Sequence, residues 1–140
     1  MLRSVLAMAT AMPLLAACDL LDGKPPTPPA PDALADFYAQ TMALVALYDV
    51  AVSGAPQLAS IRDAHRAHAA ALAGIMRPAP SAQPSGAASA PASATPAELR
   101  QAEQLGYQKA MEVGLTAPGP RATLLGEITA ARACHLEVLP

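Results

Sequence analysis

Apolar positions in most of this chain recur at three-and-four spacing, the signature of helices with one buried face. From Asp32 to about Ser53, Leu34, Phe37, Thr41, Leu44, Tyr48 and Val52 fall on one stripe, and Asp32 is a suitable N-cap. Gly54-Ala55-Pro56 ends that helix and begins a second, whose stripe is Leu58, Ile61, His65, His68, Leu72 and Ile75. Thr95, Pro96 and Glu98 form a start signal for a third helix running to about Leu115, with Leu99, Ala102, Gly106, Ala110 and Val113 inward. Pro118-Gly119-Pro120 breaks the chain again. A fourth helix then carries Leu124, Ile128, Ala131, His135 and Leu139 on one face.

The pattern differs before Asp32. Arg3 is the only charge before Asp19, and Ser4 to Ala17 is uncharged and mostly apolar. A bilayer span needs about 20 apolar residues, so this run is too short and reads as an export signal. Lys24-Pro-Pro-Thr-Pro-Pro-Ala-Pro31 favours an extended polyproline II stalk, at about 3.1 Å per residue. Residues 77–95 hold Pro, Ala, Ser and Gly with almost no charge and no large apolar side chain, which predicts a flexible crossover.

The connections constrain the topology. Two short breaks make two helical hairpins, joined by the long segment 77–95. A helix of about twenty residues is roughly 30 Å long, so that segment can span the bundle and set the second and third helices parallel. The expected fold is therefore all-α: a four-helix bundle over residues 32–140 with one long crossover between helices 2 and 3, the connection pattern of ferritin-like bundles. A slack crossover would equally fit an up-down-up-down bundle.

Composition narrows the function. Apolar residues make up 53% of the chain, but 35 of them are alanine, there is no Trp and Phe37 is the single Phe. Such a chain favours helices over strands. Nine basic against eleven acidic residues leave no excess positive charge for a nucleic-acid backbone. Two cysteines exclude a disulfide-stapled scaffold. No Gly-rich phosphate loop, serine elbow or Cys-x-x-Cys pair is present, and no catalytic residue is identified.

Two resemblances add to this reading. Leu15-Ala16-Ala17-Cys18 resembles the bacterial lipobox. That resemblance implies a signal peptide over residues 1–17, a diacylglyceryl group on Cys18, cleavage just before it, and a mature protein held at the outer face of the cell membrane. Residues 18–31 would then be the lipidated cysteine and its stalk. Two acyl chains or more give stable anchoring without a spanning helix. The second helix (Ile61-Arg-Asp-Ala-His65-Arg-Ala-His68-Ala-Ala-Ala-Leu72) and the fourth (Leu125-Gly-Glu-Ile-Thr-Ala-Ala-Arg-Ala-Cys-His135-Leu-Glu-Val-Leu139) resemble those of actinobacterial ferritin-like-domain lipoproteins, a group without a defined activity.

A di-iron centre of that bundle class needs a Glu-x-x-His pair on each of two helices and a Glu from each of the others. Here position 65 is His and position 132 is Arg, while Asp49, Glu103, Glu112 and Glu127 are expected on flanks or outer faces. Without di-iron ligands, the expected role is binding or scaffolding, including a helical partner for another envelope protein through the third helix. The three histidines offer the alternative: His65, His68 and His135 all lie on inward stripes, and neutral imidazoles suit zinc or copper and can ligate haem. They could equally be buried histidines bonded to backbone, to Asp49 or Asp63, or to water. Cys134 is expected as a small apolar filler beside Ala131 and Val138, and Arg62, Arg66 and Arg100 as a solvated face paired with Asp63 and Glu103. Tyr38, Tyr48 and Tyr107 are expected to pack with their hydroxyls at the rim.

The anchor has a direct test. Cys18→Ser should leave an unprocessed precursor or a soluble form, read by electrophoretic mobility and membrane fractionation. A variant that is still cut to the mature size and still withstands high-salt and carbonate washes would rule the lipid anchor out.

Overall fold

The computed structural model describes residues 29–80 and 93–139. The leader, Cys18, the stalk through residue 28 and the middle of the crossover lie outside the described residues. Four α-helices form among those described, with no strand: α1 (Ala35–Ala51), α2 (Ala59–Ile75), α3 (Pro96–Thr116) and α4 (Gly119–Val138). A single 3-10 turn, Pro56–Leu58, leads into α2. None of these helices is long and apolar enough to cross a membrane.

The helix starts follow local chemistry. At α3 the Thr95 hydroxyl accepts the Glu98 N–H while the Glu98 carboxylate accepts the Thr95 N–H, so two orphan donors are satisfied reciprocally. At α1 the expectation shifts by two residues. Asp32 does not cap the helix itself; Leu34 occupies that position, and Asp32 accepts the Leu34 N–H instead. At its other end α1 stops at Ala51, and the turn through Gly54 follows at once.

The two hairpins pack side by side. α1 lies against α2 and α3, and α4 lies against α3 and α2, which leaves α1–α4 and α2–α3 as the diagonals. The helix ends fix the directions. Asp32, just before α1, bonds the Arg77 N–H just after α2 and the Arg121 guanidinium at the start of α4. At the opposite end, Arg100 in the first turns of α3 donates to the carbonyls of Leu136 and Leu139 at the end of α4. The order is therefore up, down, down, up, with α2 and α3 parallel, the ferritin-like one of the two topologies that the long crossover allows. Arg100 is thus a helix-end donor and is not paired with Glu103. Arg62 and Arg66 do sit on a solvated face, shared with Asp63 and with Asp49.

The apolar core is split in two. Leu34, Phe37, Leu72, Met76, Ala110, Leu125 and Ile128 fill the Asp32 end. Leu44, Ala51, Leu58, Ile61, Leu99 and Leu139 gather around Tyr48 at the other end. Compared with the expected stripes, α3 keeps Leu99, Gly106 and Ala110 buried and α4 keeps Ile128 and Leu139, but neighbouring positions are exchanged. Glu103 is buried where Ala102 was expected, and Arg132 where Ala131 was expected. With Arg132 inward, Cys134 and Val138 lie at the surface, so Cys134 is an exposed thiol, not a core filler.

Asp32 ties three helix ends together. Its side chain is almost fully covered, and it accepts from both guanidinium branches of Arg121 as well as from two backbone N–H groups. The Arg121 hydrogen bond, opposed by burial and aided by the backbone donors, holds its carboxyl at about 2, below the ordinary 3.8. The folded pKa is depressed, so the clamp stabilises the fold above pH 3.8 and loses that contribution as the pH falls toward 2. Asp32→Asn should lower the melting temperature at neutral pH and flatten its decline over that acid window. Melting curves from pH 2 to 7 that superimpose for variant and wild type would show the clamp to be inert.

Candidate metal centre

A polar layer separates the two apolar clusters, and each helix sends a side chain into it. α1 contributes Tyr48 and Thr41, α2 contributes His65, α3 contributes Glu103, and α4 contributes Arg132 and His135. Thr41, Tyr48, His65, Glu103 and Arg132 have no measurable solvent exposure. Glu103 is the hub. Its Oε1 accepts from the Tyr48 hydroxyl at 2.9 Å, from His65 Nε2 at 2.6 Å and from His135 Nδ1 at 3.1 Å. A carboxylate can only accept, so both imidazoles present N–H to it. Its other oxygen, Oε2, faces Arg132 Nη1 at 3.6 Å.

Arg132 has a prepared bed. Its Nη2 donates to Thr41 Oγ1, which in turn donates to the Phe37 carbonyl, and its guanidinium lies over the Phe37 ring. Gly106 of α3 supplies the room. A Cβ there would overlap Nη1 and Cζ of Arg132. The guanidinium cannot yield cheaply, because moving it breaks the contacts to Glu103, Thr41 and Phe37 together.

The electrostatics follow from burial and pairing. Burial opposes ionisation of Glu103, but the hydrogen bonds from His135 and His65 outweigh it and hold the carboxyl at about 2. Burial pushes the His65 imidazole down, against the pull of Glu103. His68 falls to about 4, through burial and the nearby His65, Arg132 and His135. Burial also raises the Tyr48 hydroxyl, aided by the Glu103 charge. At neutral pH the layer therefore holds one carboxylate and one guanidinium, with His65, His68 and Tyr48 neutral.

Two of the three candidate histidines converge. The rings of His65 and His135 lie 4.9 Å apart, and with Glu103 they form a group whose ligand atoms all fall within 4.8 Å of one another. The third partner is the carboxylate and not His68, whose ring is 6.0 Å from that of His65 and which lies outside the group. Two imidazoles and one carboxylate suit zinc or non-haem iron, and they leave positions open on the ion. Tyr48 departs from the expectation for the tyrosines, because its hydroxyl is at the centre of the bundle. Tyr38 and Tyr107 are half-buried.

Arg132 and Gly106 have a shared test. Gly→Ala inside a helix ordinarily stabilises by up to about 1 kcal/mol. Here the overlap with Arg132 should prevail, and Gly106→Ala should destabilise by about 1–3 kcal/mol. In an Arg132→Met background the same change should become neutral or stabilising. Denaturant titrations of the four variants in that cycle decide it, and equal effects of Gly106→Ala in both backgrounds would disprove the packing relation.

Set beside known protein families, curated proteins and solved structures, the chain matches none of them.

Proposed function

We propose that this chain is an exported lipoprotein, held at the outer face of the cell membrane through Cys18, whose ferritin-like bundle holds a transition-metal ion on His65, Glu103 and His135. The observation that carries the metal reading is the convergence of three ligand atoms from three different helices within 4.8 Å of one another. A bundle interior normally spends such positions on apolar side chains, and burying a carboxylate with two imidazoles is costly unless each is paired or ligates an ion. His65 is locked by packing, while His135 keeps 12% of its side chain exposed and gives the group a solvent-facing side. The up-down-down-up order supports the ferritin-like reading. The anchor rests on the lipobox resemblance.

A second reading, a scaffold that docks an envelope partner, is favoured by a separate observation. The outer face of the α3–α4 hairpin exposes Met111 and Leu115 at a shallow groove floored by Gly114, Gly126 and Ala130.

Metal analysis separates the two. The full lipoprotein, purified in detergent and loaded with zinc, copper or iron at neutral pH, should keep about one equivalent after dialysis. His65→Ala/His135→Ala should abolish retention, whereas His68→Ala should leave most of it. Wild-type protein that retains no metal would remove the metal reading and leave the docking face as the lead.

A further inference from the structure

Besides the two imidazoles, Glu103 Oε1 receives a donor from α1. The Tyr48 hydroxyl reaches it at 2.9 Å, beside His65 Nε2 at 2.6 Å and His135 Nδ1 at 3.1 Å. Tyr48 is fully buried, and its ring lies 5.2 Å from that of His65. Its oxygen therefore faces the same point as the three candidate ligands, from the one helix that contributes none of them.

These spacings admit an ion without a cavity. Atoms at neighbouring corners of a shell with bonds of about 2.0–2.2 Å stand about 2.8–3.5 Å apart. The hydrogen bonds from Tyr48 and His135 already have that span, and the one from His65 falls short of it by little. An ion can take the place of the hydrogens between these atoms, with His65 and His135 each moving its N–H to the other ring nitrogen.

Charge decides how Tyr48 takes part. Glu103 is already matched by the fully buried Arg132, whose Nη1 lies 3.6 Å from Oε2. An ion bound through Glu103 alone would leave its whole charge uncompensated in a buried layer. Of the side chains that meet Oε1, Tyr48 is the one that can supply a second negative charge. It exchanges its O–H bond for a bond to the ion and releases that proton to solvent, an exchange that a bound cation favours. The donor set is then two imidazoles, one carboxylate and one phenolate. Two anionic oxygens make it a hard set, suited to ferric iron.

Resting on the metal reading above, we propose that Tyr48 is a fourth ligand and that the centre takes ferric iron, bound by His65, Glu103, His135 and the Tyr48 phenolate. All four helices then hold the ion, and three of its ligands are sealed from solvent. Such a shell favours retention of the ion over turnover of a substrate on it.

A ferric–phenolate bond gives a visible charge-transfer band and enhanced phenolate vibrations in resonance Raman spectra. The chelator-stripped full chain in detergent is loaded from ferric nitrilotriacetate at neutral pH, and the excess is removed. Wild type should hold about one ferric ion and show both signals. Tyr48→Phe should lose the band, with or without its iron. The chain has three tyrosines, and the other two lie outside the polar layer, so Tyr38→Phe/Tyr107→Phe should keep the band. That double variant decides the assignment if circular dichroism shows that Tyr48→Phe does not fold. Iron retained without the band overturns Tyr48 as a ligand and leaves the metal site standing. A band that survives Tyr48→Phe, or vanishes in Tyr38→Phe/Tyr107→Phe, does the same. Retention of zinc but not of ferric iron overturns the ferric centre and also leaves the metal site standing. Retention of neither overturns the metal site and the fourth ligand with it.

Discussion

The Oε1 atom of Glu103 is the point on which the four helices meet. α3 supplies the carboxylate, α1 reaches it through Tyr48, α2 through His65 and α4 through His135. An ionised carboxylate with no solvent exposure is tolerable only where several donors converge on it. That requirement ties the rotation of each helix about its axis to the other three. Turning α3 by one residue would present Ala102 and strand the donors from three neighbours. The layer therefore specifies register more sharply than the alanine-rich seams around it can, since alanine faces offer little to distinguish one offset from the next.

This specificity carries an energetic cost. Replacing a buried ion pair with well-packed apolar residues is often neutral or stabilising, whereas removing one partner is costly. In this protein the polar layer also divides a modest apolar core into two clusters, each with few large side chains. The end contacts compensate in part. Asp32 with Arg121 closes one end and Arg100 with two α4 carbonyls closes the other, so the hairpins are fastened where helices ordinarily fray.

Much of the fold is legible in the sequence because it depends on punctuation and spacing. Gly54-Ala55-Pro56, Thr95-Pro96 with Glu98, and Pro118-Gly119-Pro120 mark the breaks, and the length of the middle connection admits parallel α2 and α3 without excluding the alternative. The site is less legible for a physical reason. Charge normally marks the solvent side of a helix, and that rule sends Glu103 and Arg132 outward. Both belong inward as a pair, one on each of two adjoining helices. A signal for them does exist. Leu99, Glu103, Gly106 and Ala110 form a three-and-four stripe, and so do Leu125, Ile128, Arg132 and His135. Each stripe holds one charge of opposite sign. Gly106, otherwise a poor helix residue, marks the place where a bulky neighbour must fit. The histidines were visible as a set, but a helix register uncertain by one turn could not say which of them reach a common point.

The Asp32 clamp also sets how the bundle responds to force. Pro31 immediately precedes Asp32. A pull along the preceding segment would otherwise peel α1 from its first turn, breaking backbone hydrogen bonds one at a time. Asp32 intercepts that pull and passes it to Arg121 on α4 and to the Arg77 amide after α2. The load is then shared by three helix ends. Under a pull from that side, the Asp32 contacts would act as a strain relief for the helices behind them.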